Sequence, residues 1–400
     1  MRNFFNSFME TRNNTVLTSD KEGMSEIFSS NKTESGESIT KQNAMQISTV
    51  FSCIRVLSEG ISSLPLHLYK QEGENIEKAR IHPLYNILQS EPNTENTAIT
   101  FWEMSIMHLC LYGNFYAQII RNRLGHVTRL IPFIPNNVTK WRVEDGTIFY
   151  TYQINGKTIH FEQNEIFEVM GMSLDGFTGL SPISYQVETL GLAKSSEKHG
   201  ARFFKNDATP NFALEHPATL KNDAYERLKK DWIISQGGKN KHVPAILEGG
   251  MKIATMSVSN RDSQYLETRQ FQKSEICGIF RVPPHLIADL SKSSFNNIQE
   301  QSQELVKYTY QPYIIRIEQS INKQLLTKSE KQKYYAKFNV EGLLRGDVKT
   351  RYEAYNVARN GGWMNANEIR AKEEMNPIPG GEKYLQPLNM TTTEGNSNED

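Results

Sequence analysis

The chain has 400 residues, of which 38% are apolar, and it carries 45 basic and 45 acidic side chains. This length allows two or three domains or one elongated subunit, and the apolar fraction is lower than in most self-contained globular proteins. The balanced charge excludes nucleic-acid binding through bulk positive charge, so any such role has to be local and weak.

The termini and the cysteines indicate the compartment. Residues 1–43 are polar, lack periodicity and are predicted to form a disordered arm, with order starting near Ala44. No signal peptide is apparent, and no window approaches the ~18 apolar residues of a membrane span. The three cysteines are far apart and form no CxxC pair, which favours buried thiols in a reducing compartment. We therefore expect a soluble, cytoplasmic product.

The first ordered part predicts helices followed by an antiparallel sheet. Apolar residues at helical spacing run from Val50 to Ile61, Pro65 ends that helix, and a strand follows at 66–70. Helices are also predicted at 82–89 and around 99–109. Alternating patterns then predict strands at 115–121, 127–134, 138–143, 147–154 and 157–161. Asn155-Gly156 indicates a tight hairpin between the last two, and the whole is an α+β domain.

The second half is mainly helical. Ser181 and Pro182 have the residue types of a helix N-cap and first turn. Helices are predicted at 223–234 and 262–280, with a small β module between them. A long helix from 297 to 326 should be kinked at Pro312, because proline removes a backbone hydrogen bond and clashes with the preceding turn. A strand at 334–340 and helices at 348–360 and 366–374 follow.

The segment from Ile276 to Leu290 is the most informative one. A helical pattern runs into Val282-Pro283-Pro284, where the prolines fix two successive φ angles and push Val282 out of helical space. The polar run from Ser291 to Asn297 comes next. A polar loop between two helices, without catalytic residues around it, suggests a contact device.

Motifs for catalysis or cofactor binding are missing from the sequence. Gly237-Gly238-Lys239 lacks the remaining residues of a phosphate loop, and Pro182 after Ser181 removes the amide that a nucleophile elbow needs. The nine histidines show no paired ligand spacing, and His285 is interpreted as a packed or solvated loop residue. No catalytic residue, metal site or cofactor is therefore predicted.

A modest positive charge is concentrated between Lys221 and Arg281. This segment has eleven basic and seven acidic residues, a net charge of +4. One interpretation is a solvated surface of mixed charge. The other is a surface that touches phosphates without holding them, since neutralising many phosphates would stop movement along DNA.

Eight stretches in a fixed order resemble the portal proteins of tailed bacteriophages, and the resemblance covers about residues 44–385. They are VFSCIRVLSEGISSLPLHLYK, HPLYNILQSEPN, GNFYAQIIRN, GLSPIS, FFKNDATPNFAL, DWIISQGGKNKHVPAILEGG, EICGIFRVPPHLIADL and NEIRAKEEMNPIPGG. The resemblance implies a structural protein, not an enzyme, that forms a ring at one capsid vertex, typically a dodecamer. Double-stranded DNA would pass through its channel.

The resemblance also implies an elongated α+β subunit with named parts. These are an α/β wing at 44–218, stem helices at 219–236 and 262–282, and a small β clip at 237–261. The later parts are a tunnel loop at 283–297, the long kinked helix and returning wing strand at 298–345, and a helical crown at 346–385. The polar composition of the two ends adds a disordered arm at 1–43 and a flexible tail at 386–400.

Site residues and partners follow from the same resemblance. The channel constriction would be formed by Ser291, Lys292, Ser293, Ser294, Phe295, Asn296 and Asn297, with channel-facing stem charges at Lys229, Lys230, Arg269 and Lys273. Lys239, Lys241 and His242 in the clip would dock the terminase large subunit and later the head–tail adaptor. Major capsid and scaffold proteins are further implied partners, with no membrane. The protein would be found in the virion, and in the host cytoplasm during assembly.

Two other classes of protein stay open on the residues alone. A nuclease would lose activity in chelator, whereas a portal should have none to lose. A monomeric binding module would show a single 45.8 kDa species, whereas a portal forms a closed ring of high mass.

Overall fold

The computed structural model describes residues 33–385 except for 74, 206–211, 237–246, 248, 256–258, 290–303, 341–347 and 374. The helices are α1 (Lys41–Ala44), α2 (Ser48–Ser62), α3 (Pro83–Gln89), α4 (Ala98–Tyr112), α5 (Pro182–Tyr185), α6 (Val187–Lys205), α7 (Asn222–Gln236), α8 (Ser259–Phe280), α9 (Gln311–Gln324), α10 (Val348–Asn360) and α11 (Ala366–Lys372). The strands are β1 (Leu66–Glu72), β2 (Asn75–Lys78), β3 (Asn114–Arg121), β4 (Val127–Pro132), β5 (Val138–Arg142), β6 (Ile148–Ile154), β7 (Lys157–Glu162), β8 (Ile166–Met170), β9 (Phe212–Glu215), β10 (Lys252–Thr255) and β11 (Tyr334–Phe338).

The chain divides into two units, and α2, α4 and β3 each run from one into the other. The first unit contains the residues up to 58, 104–116 and 133–293, and the second contains 59–103, 117–132 and the residues from 294 onward. This mixture of helices with small sheets confirms the predicted α+β class. No helix in the described part of the chain has the length and apolar character needed to span a bilayer.

The first unit is built around an antiparallel meander. Strands β5, β6 and β7 pair in chain order, and β6 joins β7 through Asn155 and Gly156, whose φ angles are 49° and 73°. Two successive positive φ angles define the tight turn that Asn-Gly predicted. The inner face of the meander is buried in a mainly aromatic hydrophobic cluster, which consists of Tyr116, Phe133, Tyr150, Tyr152, Phe161 and Ile166.

The second unit joins residues far apart in sequence. Strand β1 lies between β2 and β11, with Leu66 opposite Phe338. Helix α9 packs on β11 through the buried residues Ile314, Ile317 and Ile321, which have the helical spacing seen in the sequence. The backbone N–H groups of Ala336 and Phe338 donate to the Asn322 and Glu318 side chains of α9.

The irregularity predicted at Pro312 takes the form of a π-helix. Residues Leu305–Tyr310 have π-helical bonding, and the Gln311 N–H still donates to the Val306 carbonyl, five residues back. The wider turn directly precedes Pro312, which cannot donate. The start of this helix, predicted at 297–303, lies outside the described residues.

Some predicted boundaries need correction. Order begins before Ala44: Lys198 forms an ion pair with Glu37 at 2.7 Å, and α6 places Gly191 against Thr33. Strands β2, β8 and β9 were not predicted. The sequence placed a β module between the two helices, but its strand β10 pairs with β9, which precedes α7. All three cysteines are buried, as expected.

Candidate functional site

Two of the three predicted site groups cannot be placed. The tunnel-loop residues 291–297 and the clip residues Lys239, Lys241 and His242 lie outside the described residues. Their roles therefore stay predictions. What the structure does give is the geometry of the chain segments that lead into them.

The predicted stem charges lie on α7 and α8. Lys229 and Lys230 are exposed on α7, and Lys273 is exposed on α8. Arg269 differs, because its guanidinium lies 3.5 Å from the Glu197 carboxylate of α6 and both side chains are about one-third exposed. Lys229, Lys230 and Lys273 therefore offer solvent-facing positive charge, while Arg269 also has a local structural partner.

Helix α8 is anchored on α6 by a close contact. The Tyr265 hydroxyl donates to the Ser196 carbonyl at 3.1 Å and lies directly over Gly200. A Cβ at position 200 would be only 2.1 Å from that hydroxyl, so the glycine is required by the approach of the tyrosine. This contact fixes α8 against α6 within the first unit.

The excursion that contains α7 is closed at its base. Strands β9 and β10 pair antiparallel, with Glu215 opposite Lys252 and Phe212 opposite Thr255. The excursion thus begins at residue 216 and ends at residue 251. The two strands that flank it, β9 and β10, are hydrogen-bonded to each other. The predicted first stem helix and most of the predicted clip lie within this excursion.

Helix α8 ends in a Schellman motif. Arg281 has a φ of 54°, its N–H donates to the Gly278 carbonyl at 3.2 Å, and the Val282 N–H donates to Cys277 at 3.0 Å. Glycine is the usual residue at this left-handed position, and proline commonly follows it. Here Val282 is buried and Pro283 follows, so the chain turns sharply without a glycine.

The same turn is repeated one short helix later. Pro284–Ile287 form a 3₁₀ helix, Ala288 has a φ of 61°, and the Asp289 N–H donates to the Pro284 carbonyl at 3.1 Å. We call residues 281–289 the α8 exit. Its two left-handed turns and two prolines fix the direction of the chain up to residue 289, the last described residue before 290–303.

Two of the resembling stretches, GNFYAQIIRN and GLSPIS, meet in space. Asn114 exchanges hydrogen bonds with the backbone of Gly179, and the Ser181 hydroxyl donates to the Leu111 carbonyl at 2.6 Å while capping α5. The Gly171 N–H donates to the Gly113 carbonyl at 2.8 Å. We call Gly113, Gly171 and Gly179 the glycine crossing.

The glycine crossing leaves no room for side chains. A Cβ on Gly113, where φ is 80°, would lie 2.4 Å from the Leu180 backbone, and a Cβ on Gly179 would lie 2.0 Å from the Gly113 carbonyl oxygen. The Ser181 cap predicted from sequence is confirmed. These motifs therefore have a packing role, and nothing in their geometry requires a catalytic one.

A buried ion pair supports the loop that carries Gly179. The Lys140 ammonium lies 2.7 Å from the Glu168 carboxylate and donates to the Phe177 carbonyl at 3.1 Å. The Tyr150 hydroxyl donates to the same carboxylate at 2.9 Å, and burial together with this anion raises the pKa of Tyr150 far above its usual range. Glu168 Oε2 therefore accepts from both Lys140 and Tyr150, and such pairing is how buried charges persist.

A cluster that the sequence search missed lies in the second unit. His82 Nε2 is 3.0 Å from Glu330 Oε1, and His126 Nδ1 is 3.2 Å from the same oxygen. Burial acts to raise the pKa of Glu330, but hydrogen bonds from Thr327 and His82 outweigh it and the pKa is lowered. The search looked for ligands at close sequence spacing, whereas these three come from segments joined only by the fold.

The comparisons agree with the resemblance. The family model described as "Phage portal protein" matches residues 48–374. The portal protein of Enterobacteria phage HK97 is 33% identical over 87% of this chain and 83% of its own length.

Two solved structures share the fold. A HK97-family phage portal protein from Corynebacterium diphtheriae has a TM-score of 0.54 at 19% identity, covering 77% of this chain and 97% of its own. The neck of a native gene transfer agent particle, computed with C12 symmetry, has a TM-score of 0.60 at 19% identity, covering 92% and 98%. Since the family model matches most of the sequence, the chain belongs to the phage portal protein family.

Proposed function

We propose that the chain is the subunit of a ring at one capsid vertex, through which double-stranded DNA is packaged and later ejected. The observation that carries this proposal is the family match over residues 48–374, with HK97 portal identity over most of both chains. Portal proteins are structural components of virions, and we infer that this chain has no catalysis of its own. We propose twelve subunits from the family resemblance; one similar neck structure was computed with C12 symmetry and another with C6 symmetry.

The charge distribution suits weak, sequence-independent contact with DNA. The exposed lysines of α7 and α8 belong to a segment whose net charge is only +4. Each neutralised phosphate steepens the salt dependence of binding, so a subunit that lets DNA slide should offer few strong contacts. Ser291–Asn297 contributes one lysine per subunit, Lys292, and one aromatic residue, Phe295, among small polar residues.

The remaining partners are assigned by position. The excursion closed by β9 and β10 contains most of the proposed clip, which would dock the terminase large subunit during packaging and the head–tail adaptor afterwards. Major capsid and scaffold proteins would surround the ring. We propose no membrane partner.

The ring is tested with purified full-length protein. Multi-angle light scattering should give roughly twelve times the 45.8 kDa subunit mass, and negative-stain images should show closed rings. Coexpression with the scaffold protein covers the case in which assembly needs a template. A strict monomer under both conditions and at all salt concentrations would contradict the proposal.

The tunnel loop is tested separately from the ring. Deleting residues 291–297 should leave ring formation intact while DNA packaging or retention fails, because the loop is proposed to touch only the duplex. A Gly/Ser replacement of equal length is the matched control for chain connectivity, and Lys292→Ala isolates the charge. Loss of rings in the deletion variant would show that the loop has a structural role instead.

A further inference from the structure

The second unit contains two histidines and one glutamate arranged with the ligand composition of an open, three-ligand zinc site. Two imidazole nitrogens lie 3.0 and 3.2 Å from one carboxylate oxygen, and the ligand atoms of His82, His126 and Glu330 all lie within 4.8 Å of one another. A tetrahedral zinc ion holds its ligand atoms about 3.3–3.5 Å apart, because zinc–ligand bonds are about 2.0–2.2 Å long. Two histidines and one glutamate leave a fourth position for water.

Each of the three ligand residues lies at a defined place in a backbone element. His82 is the N-cap residue of α3, His126 follows the turn of the β3–β4 hairpin, and Glu330 begins the 3₁₀ helix before β11. Glu330 also accepts from the Thr327 N–H at 2.8 Å, which orients its second oxygen away from the histidines. This is the outer support that metal-binding carboxylates usually have.

Arg121 holds the hairpin in place beside the cluster. Its guanidinium donates to the Gly125 carbonyl at 2.9 Å and to the Gln324 carbonyl, at the end of α9, at 2.7 Å. The residue before His126 is thereby tied to the helix that leads to Glu330. The three ligands are thus brought together without a metal, which lowers the cost of ordering them on binding.

In the absence of a metal, the two histidines differ in their hydrogen bonding. His82 Nδ1 accepts from the Leu84 N–H at 3.1 Å, so the proton of a neutral ring lies on Nε2 and points at Glu330. His126 Nδ1 is shielded from solvent and lies 3.2 Å from Glu330 Oε1, but it makes no hydrogen bond with a described residue. A buried polar atom without a hydrogen bond is costly, and a metal ion would satisfy it.

We propose that His82, His126 and Glu330 bind one Zn²⁺ or a similar late divalent transition-metal ion in each subunit. The ion links segments around residues 82, 126 and 330 and so stabilises the second unit. Binding moves the His82 proton to Nδ1, which gives up the hydrogen bond from Leu84. The loss of this helix-capping hydrogen bond weakens the affinity for the metal about fivefold. That loss is small compared with the affinity that three ligands provide.

The test uses the untagged full-length protein with Co²⁺ and Zn²⁺ as probes. One equivalent of Co²⁺ per subunit should produce visible ligand-field bands of a tetrahedral site, and Zn²⁺ should abolish them. Saturating Zn²⁺ should also raise the melting temperature by a few degrees, because it binds only the folded state.

The variants separate metal binding from structure. His82→Asn keeps an excellent N-cap residue but removes the imidazole, and Glu330→Gln keeps the shape of the side chain. Both should weaken Co²⁺ binding by roughly a hundredfold or more, as should His126→Gln. The control His160→Gln alters an exposed histidine on β7 and should bind as the wild type does.

Two results would overturn the proposal. One is the absence of tetrahedral bands in the wild-type protein at saturating Co²⁺. The other is undiminished binding in His82→Asn and Glu330→Gln, which would place the ion elsewhere. Neither result bears on ring formation, so the metal site and the proposed function stand or fall separately.

Discussion

The glycine crossing and the α8 exit both redirect the chain within the first unit, but they do so in opposite ways. At the crossing, Gly113 has a φ of 80° and a Cβ would meet backbone at 2.4 Å, so only glycine fits. At the exit, Arg281 and Ala288 have φ angles of 54° and 61°, where glycine would be less strained.

The difference indicates what each region is selected for. The crossing brings backbones into contact, so its residues are fixed by packing, and any change is expected to be expensive. The α8 exit only has to set the direction of the chain, which the prolines and the hydrogen-bonded carbonyls do. It therefore tolerates side chains at its left-handed positions, although they raise the energy of the turn. Substitutions should therefore have opposite signs in the two regions.

The largest expected effect comes from filling the crossing. Gly179→Ala should destabilise the protein by about 3 kcal/mol through collision with the Gly113 carbonyl, and Gly113→Ala by about 4 kcal/mol, since it adds left-handed strain. Gly146→Ala is the matched control, because its φ is 84° but no atom lies near its Cβ. It should cost only about 1 kcal/mol. Chemical denaturation midpoints give all three values, and equal losses would mean that packing at the crossing is unimportant.

The next largest effect is expected from acid, which should lower the free energy of unfolding through the buried His108. Burial of His108 on α4, beside the Tyr112 and Phe115 rings, lowers its pKa to about 4. The unfolded chain, with a pKa near 6.5, then binds more protons as the pH falls from 6.5 to 4, and stability drops by about 3 kcal/mol across that window. His108→Phe should remove this part of the pH dependence. An unchanged slope between pH 6.5 and 4 would show that His108 does not titrate with unfolding.

The smallest effect has the opposite sign. Ala288→Gly should stabilise the protein by about 0.5–1 kcal/mol, because glycine adopts the left-handed conformation without strain. Ala354→Gly, at an exposed position inside α10, should destabilise by about 1 kcal/mol. Thermal melting of the two variants side by side is sufficient. If both substitutions destabilise, the exit depends on its alanine for a reason other than conformation.

Local rules predicted the local features of the fold. The spacing from Val50 to Ile61 marked the buried face of α2, Asn155-Gly156 marked a hairpin, and Ser181 marked a cap, because each depends on residues a few positions apart. Even Pro312 indicated the right place for an irregular turn, although not its π-helical form.

Features that depend on distant residues could not be predicted. Gly113 and Gly179 begin two separate resembling stretches, but nothing in either stretch shows that they touch. The pairing of β1 with β11 and the meeting of His82, His126 and Glu330 have the same origin. Each requires a three-dimensional arrangement that one sequence does not specify through spacing.

Strand β11 is an edge of its sheet, and its treatment has a consequence for assembly. The N–H groups of Ala336 and Phe338, which would otherwise be open to another strand, are occupied by Asn322 and Glu318 of α9. An open edge invites other chains to add strands without limit. Here α9 takes the place of a further strand along β11, so these two N–H groups are not available to pair with another chain.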